Sequence, residues 1–186
     1  PVTAEVSFGF LEGDFELAAS RQFTYEGGSE GWQTTAGNFN RSNAAPGGAG
    51  GAGTFYYRSS SFLDDQCDVV RSPLVRLSAT STMTLFNRWR IEDQSGGQWW
   101  DRANIGVVDA ATGVRTLVSP SGGRTYNASG IGGVCGTEGQ LGWAGGNTSP
   151  TFDSWATSSW SSAALQTGTL AGVPGYLEVR YGTDPA

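Results

Sequence analysis

Glycine and proline interrupt this chain so often that its longest stretch without either runs only from Leu74 to Ser95. A helix has room there and hardly anywhere else. Within that stretch, however, Met83, Leu85, Trp89 and Ile91 fall on odd positions, while Thr82, Thr84, Arg88, Arg90 and Glu92 fall on even ones. That is the period of a strand with one buried face, so the best helix candidate reads as β. Phe86 and Asn87 break the alternation, which predicts a bulge or bend at that point.

The remaining segments read the same way. Val6, Phe8 and Phe10 alternate before Glu12-Gly13-Asp14, and Phe15 and Leu17 alternate after it, which predicts a hairpin over residues 1–20. A second start at Gln22 to Glu26 is closed by the glycine-rich turn Gly27 to Gly31, ahead of Trp32. Ile105, Val107 and Val108 lead into the turn Asp109 to Gly113, and Val114, Thr116 and Val118 return, a further hairpin. Residues 43–53, NAAPGGAGGAG, read as a surface loop inside the domain, and 119–150 as long loops with one short strand near Gly139 to Ala144. Tyr176 to Tyr181, apolar at odd positions, closes the chain as a strand.

This predicts an all-β chain of about ten to twelve strands, arranged as an antiparallel two-sheet β-sandwich. Periodicity leaves jelly-roll, immunoglobulin-like and barrel arrangements open. With 29 glycines, 7 prolines and 15% charged residues the composition borders on low complexity, but 7 Trp, 9 Phe and 6 Tyr provide the apolar area of a folded core. A length of 186 residues fits one domain, 1–186, with 1–20 as a candidate added hairpin.

All the basic residues are Arg, and the chain has neither Lys nor His. Those absences exclude a Ser-His-Asp triad, a Cys-His pair, a His zinc site, a Schiff base and a P-loop contact. Acidic residues outnumber basic ones 17 to 11, giving a net charge of −6 and arguing against nucleic acid or an anionic membrane as partner. No apolar run approaches the roughly 20 residues of a membrane span. The chain opens PVTAEVSF, with no initiator Met and no signal peptide, so an excised domain or processed product is expected. Cys67 and Cys135 are too far apart in sequence for a redox or metal motif and read as a disulfide from an oxidising, extracellular compartment; two free buried thiols are the alternative. Sequons stand at Asn127 and Asn147.

Taken in order, Phe23 to Glu26 with Gly31-Trp32, Arg71-Ser72-Pro73-Leu74, Leu85 to Glu92, Trp100-Asp101 leading into Asn104 to Val108, and Tyr176 to Asp184 resemble a known pattern. The series, over roughly 22–184, is similar to the MAM-like jelly-roll domains appended to secreted bacterial peptidases of the immune-inhibitor type. It departs from that pattern in Asp101-Arg102-Ala103, where the family has two glycines after the Asp, and residues 1–20 have no counterpart. The resemblance implies a jelly roll, a non-catalytic accessory role beside a covalently linked catalytic domain, and structural calcium on acids placed like Glu26, Glu92 and Asp101. Calcium suits such acids, because it takes six to eight oxygens and glycine-rich turns expose carbonyls to complete the set. A further acidic run, Asp64-Asp65-Gln66-Cys67-Asp68, lacks the Gly and distal Glu of an EF-hand and reads as a solvated loop beside the disulfide.

Adjacent Trp99 and Trp100 must face opposite sides of an extended segment, so one is expected outside the core. Such an indole suits a sugar face, with Arg102 and Asn104 to hold hydroxyls; Trp143, Trp155 and Trp160 are weaker candidates, since most Trp in such folds are core. The expectation is a secreted, non-catalytic module recognising a polysaccharide or an extracellular protein. A carbohydrate-binding module of a polysaccharide-degrading enzyme is the nearest alternative. A glycoside-active enzyme working through two carboxylates is the rival from another class, though no local motif selects a pair.

Overall fold

The computed structural model describes residues 2–11, 16–23, 25–43, 55–59, 64–130, 135–146, 155–166 and 171–185, with backbone pairing alone over 2–22. Thirteen strands follow in chain order among them: β1 (Val2–Leu11), β2 (Glu16–Phe23), β3 (Gln33–Ala36), β4 (Phe39–Ser42), β5 (Tyr56–Ser59), β6 (Cys67–Arg71), β7 (Val75–Arg76), β8 (Thr82–Asn87), β9 (Arg102–Asp109), β10 (Arg115–Leu117), β11 (Gly122–Gly123), β12 (Ala156–Trp160) and β13 (Pro174–Gly182). One turn of helix, α1 (Ser162–Leu165), is capped by the Ser161 hydroxyl, which accepts the Ala164 N–H. The chain is all-β, and every strand pairing is antiparallel.

Two sheets result. The seven-stranded sheet has the order β11-β12-β8-β1-β5-β4 with β2 also on β1, and the six-stranded sheet has the order β10-β9-β13-β6-β3 with β7 also on β13. One apolar cluster draws on both. Phe39, Tyr57, Met83, Leu85 and Trp160 enter it from the first sheet, and Val70, Ile105, Val107, Leu177 and Val179 from the second. Alternation explains the selection: on β13 the odd residues Leu177, Val179 and Tyr181 meet the core, while Tyr176, Glu178 and Arg180 point to the opposite face.

The strand expected in the longest uninterrupted stretch is β8, and its buried face continues through Met83, Leu85, Asn87, Trp89 and Ile91. The bulge expected at Phe86 and Asn87 is absent, since pairing to β1 and β12 runs through both residues in step. Asn87 can occupy the buried face because its side-chain amide donates to Ser158 Oγ on β12 at 3.0 Å. A register shift falls instead between Thr34 and Ala36, where β3 meets β6.

The first hairpin forms with Leu11 opposite Glu16, and β1 also pairs with β8 from Val2 to Ser7. Its strand β2 continues to Phe23, and Tyr25, expected within a second strand, turns instead through a left-handed φ of 60° with its ring buried. The β9–β10 hairpin and the closing strand appear as expected. Near Gly139 to Ala144 there is no strand, only the single bridges Ala103–Trp143 and Ala128–Gly142. Residues 12–15, where the hairpin turn was expected, the expected loop over 44–53 and the sequon at Asn147 lie outside the described residues.

Beyond the short pairing of β11 with β12, the described part of the glycine-rich segment after β10 is held to the core by aromatic side chains. Trp89 and Trp143 stack at 5.6 Å, and Trp143 meets Tyr126 edge-on at 4.8 Å and Trp160 at 6.2 Å. Each indole N–H then takes a carbonyl from this region: Trp89 that of Ala144, Trp143 that of Arg124, and Trp160 that of Val118. The weaker sugar-contact candidates Trp143 and Trp160 are therefore core residues, whereas Trp155 is partly exposed and packs edge-on against Tyr56 at 5.8 Å.

Candidate functional site

Asp101 immediately precedes β9, and Asp184 follows the end of β13. Those two strands pair with Arg102 opposite Gly182, so the register alone brings the two aspartates to one end of the six-stranded sheet. The Asp184 N–H donates to Asp101 Oδ1 at 3.0 Å. Glu92 arrives from the segment after β8, fixed where its carbonyl accepts the Gly145 N–H at 2.9 Å. Between Glu92 and Asp101 the chain makes a tight turn, with Ser95 and Gln98 exchanging backbone hydrogen bonds around Gly96 and Gly97, both at positive φ.

One carboxylate oxygen each from Glu92, Asp101 and Asp184 lies within 4.8 Å of the others. Two further acids border the group. The Asp65 N–H donates to the Asp184 carbonyl, placing the 64–65 turn alongside, and Asp93 accepts the Gly146 N–H at 2.7 Å. Partial burial and this crowding act together. Burial first, then the charges of Glu92 and Asp184, push the Asp101 carboxyl up to about 6, the backbone hydrogen bond from Asp184 opposing them. Glu92 is raised too, first by burial and then by Asp184, Asp64 and Asp93.

Of the acids expected to share a cation, the structure thus brings together Glu92 and Asp101 and adds Asp184. Glu26 stands outside this group: its carboxylate accepts the Phe55 N–H at 2.9 Å, and its carbonyl accepts from Arg41. In the acidic run, Asp64 and Asp65 are exposed, while Asp68 is wholly buried and accepts from the Asn38 backbone and the Gln66 side chain. Cys67 and Cys135 form a disulfide.

Trp99 and Trp100 stand beside this acidic group and are both partly exposed. Trp99 leans on the core cluster and passes close to Gly145, where a Cβ would meet its ring at 3.3 Å. Arg102 and Asn104 are completely buried. The Arg102 guanidinium donates to the carbonyls of Gly130 and Gln140 at 2.8 Å and to that of Trp99 at 2.6 Å. The Asn104 amide donates to Gln140 Oε1 and the Leu141 carbonyl, and its oxygen accepts from Arg115 at 2.7 Å. Both side chains therefore tie described loop residues, Gly130, Gln140 and Leu141, onto β9. The Asn127 amide is similarly engaged, exchanging hydrogen bonds with the Ala144 backbone.

Asp184 was not among the acids expected to hold the cation, yet its place mirrors that of Asp101: one acid just before a strand, the other just after that strand's antiparallel neighbour. Pairing the closing strand with β9 was the signal available for it.

No family model matches the sequence, no curated protein matches it, and no solved structure matches its fold.

Proposed function

We propose that the chain is a non-catalytic binding module of a larger exported protein, built as a two-layer β-sandwich of jelly-roll type like the MAM-like accessory domains its segments resemble. In this reading a calcium ion sits among Glu92, Asp101 and Asp184, and a sugar ring stacks on the exposed part of Trp100 beside it. A catalytic domain, such as a peptidase, belongs to the same parent chain.

The observation that carries the reading is the convergence of three carboxylates, from three separate segments, within 4.8 Å. Oxygens on opposite sides of a calcium ion are about 5 Å apart, so the spacing suits shared ligation. Burial first, and then the neighbouring carboxylates, raise Asp101 and Glu92, and a bound cation would offset both costs. The disulfide fits an oxidising compartment, where millimolar calcium is the usual supply.

One observation favours the rival, hydrolytic reading: a carboxyl near 6 beside a second carboxylate is a general-acid arrangement. Against its inverting form, the three acids, within 4.8 Å, are closer than the roughly 6.5–9.5 Å that leaves room for the attacking water. Polysaccharide turnover abolished by Asp101→Asn would establish the hydrolytic reading.

Affinity electrophoresis through gels containing neutral polysaccharides tests the binding reading. Retardation by at least one glycan, lost in Trp100→Ala, supports it. Unchanged mobility in every gel, or a Trp100→Ala variant that migrates like the parent, removes it.

A further inference from the structure

On the outer face of the six-stranded sheet, three guanidinium groups converge on one carboxylate. Glu178 is wholly buried although it points away from the core. Arg71 Nε reaches its Oε2 at 2.5 Å, Arg115 Nε lies 2.9 Å from its Oε1, and Arg180 Nε also donates to Oε1.

Two glycines make this convergence possible. Gly106 pairs with Glu178 across β9 and β13, and a Cβ there would stand 2.7 Å from the Arg115 guanidinium carbon. Gly136 leaves room in the same way, since a Cβ would come within 2.5 Å of Arg180 Nη1, which donates to the Cys135 carbonyl. The disulfide from Cys67, on the same face, fixes that loop in place.

The charges do not balance. Three guanidinium ions share one carboxylate, leaving a surplus of two positive charges on a chain whose net charge is −6. Arg115 is turned inward: its Nη1 donates to Gln140 Oε1 and its Nη2 to Asn104 Oδ1, and its Nε lies 2.9 Å from Glu178 Oε1. Arg71 spends only its Nε on Glu178, and its side chain is 34% exposed; Arg180 spends Nε and Nη1 and is 22% exposed. Among the described residues, both terminal amines of Arg71 and the Nη2 of Arg180 thus remain for an outside acceptor. Burial, and next the repulsion from Arg180, hold the Arg115 guanidinium below its ordinary value.

We infer that Arg71 and Arg180, braced by Glu178, form an oxyanion-binding site for the carboxylate or sulfate groups of an acidic polysaccharide. The partly exposed Tyr176 ring, whose centroid is 6.0 Å from the Arg71 guanidinium, supplies the flat surface a pyranose needs beside its charge. A peptide ligand is disfavoured because β13 and β6 are interior strands, paired on both sides, with no free edge for strand addition. The inference takes the sugar class from the proposed function but uses a different set of residues from Trp100.

The test is affinity electrophoresis of the full chain at about 50 mM salt, where screening is weak, against polygalacturonate, dextran sulfate, uncharged dextran and polyglutamate. Retardation by polygalacturonate or dextran sulfate is expected, and the stronger of the two identifies the anion. Arg71→Gln should weaken it about tenfold, the value of a charge-assisted hydrogen bond, and should melt lower yet stay folded at the assay temperature, since Arg115 and Arg180 keep Glu178 paired. Arg58→Gln, which removes an equal charge from β5 in the other sheet, should leave it intact. No binding to either polyanion, equal weakening by both Arg variants, or equal binding of polyglutamate would overturn the inference. Polyanion binding lost in Trp100→Ala but intact in Arg71→Gln would also overturn it while leaving the Trp100 reading standing. Failure at Trp100 alone, with the Arg71 effect present, would do the reverse.

Discussion

Gly106 and Glu178 face each other across β9 and β13, and the missing side chain of the first lets the Arg115 guanidinium reach the carboxylate of the second. A buried carboxylate on the face of the sheet away from the core is tolerable only when it is fully paired. Gly106→Ala should therefore destabilise the fold by about 1–3 kcal/mol, as overpacking does. Glu178→Ala should cost more, about 3–5 kcal/mol, because it strands buried positive charge. Urea unfolding of the two variants measures both, and a Glu178→Ala variant as stable as the parent would refute the account of the cluster.

The disulfide closes a loop spanning 68 positions and secures Cys135, whose carbonyl accepts from Arg180. Replacing both cysteines with Ala should lower stability by about 2–4 kcal/mol. Intact mass after alkylation, with and without reductant, confirms the bridge independently.

The Asp101 carboxyl titrates near 6 in the folded chain, above its ordinary value of 3.8. The folded state therefore binds the proton more tightly than the unfolded state, so this group destabilises the fold above about pH 6 and the loss is relieved as pH falls from 6 towards 3.8. Without divalent cations the melting temperature should rise on acidification from neutrality to about pH 5. Asp101→Asn should flatten that dependence, and an unchanged pH profile in the variant would contradict the assignment.

Tryptophans separate by role. Trp160 is 1% exposed and its N–H is taken by the Val118 carbonyl, so Trp160→Ala should cost about 3–5 kcal/mol. Trp100 is partly exposed, and Trp100→Ala should cost under about 1.5 kcal/mol while removing sugar binding. Thermal melts alongside gel retardation distinguish the two effects.

What could be read in advance follows from where each residue finds its partner. The alternation of Met83, Leu85, Trp89 and Ile91 predicted β8 because burial on a strand depends only on local parity. Asn87 looked like a break because its partner, Ser158, lies on a strand far along the chain. Arg102 and Asn104 looked available to a ligand for the same reason: apart from the Trp99 carbonyl, the backbone carbonyls they hold, of Gly130, Gln140 and Leu141, lie far along the chain. Glu92 and Asp101 were legible as neighbours across a short turn, but Asp184 joins them only through the pairing of β9 with β13. The Glu178 cluster was invisible in the same way, since its arginines come from β6, β10 and β13.

Calcium titration of the chelator-treated chain, followed by the melting temperature, tests the central claim most directly. The account predicts a saturable rise of several degrees, reversed by chelator and lost in Glu92→Gln and Asp101→Asn, because an ion bound only by the folded state stabilises it by mass action. A melting temperature indifferent to calcium and chelator in the parent chain would contradict it.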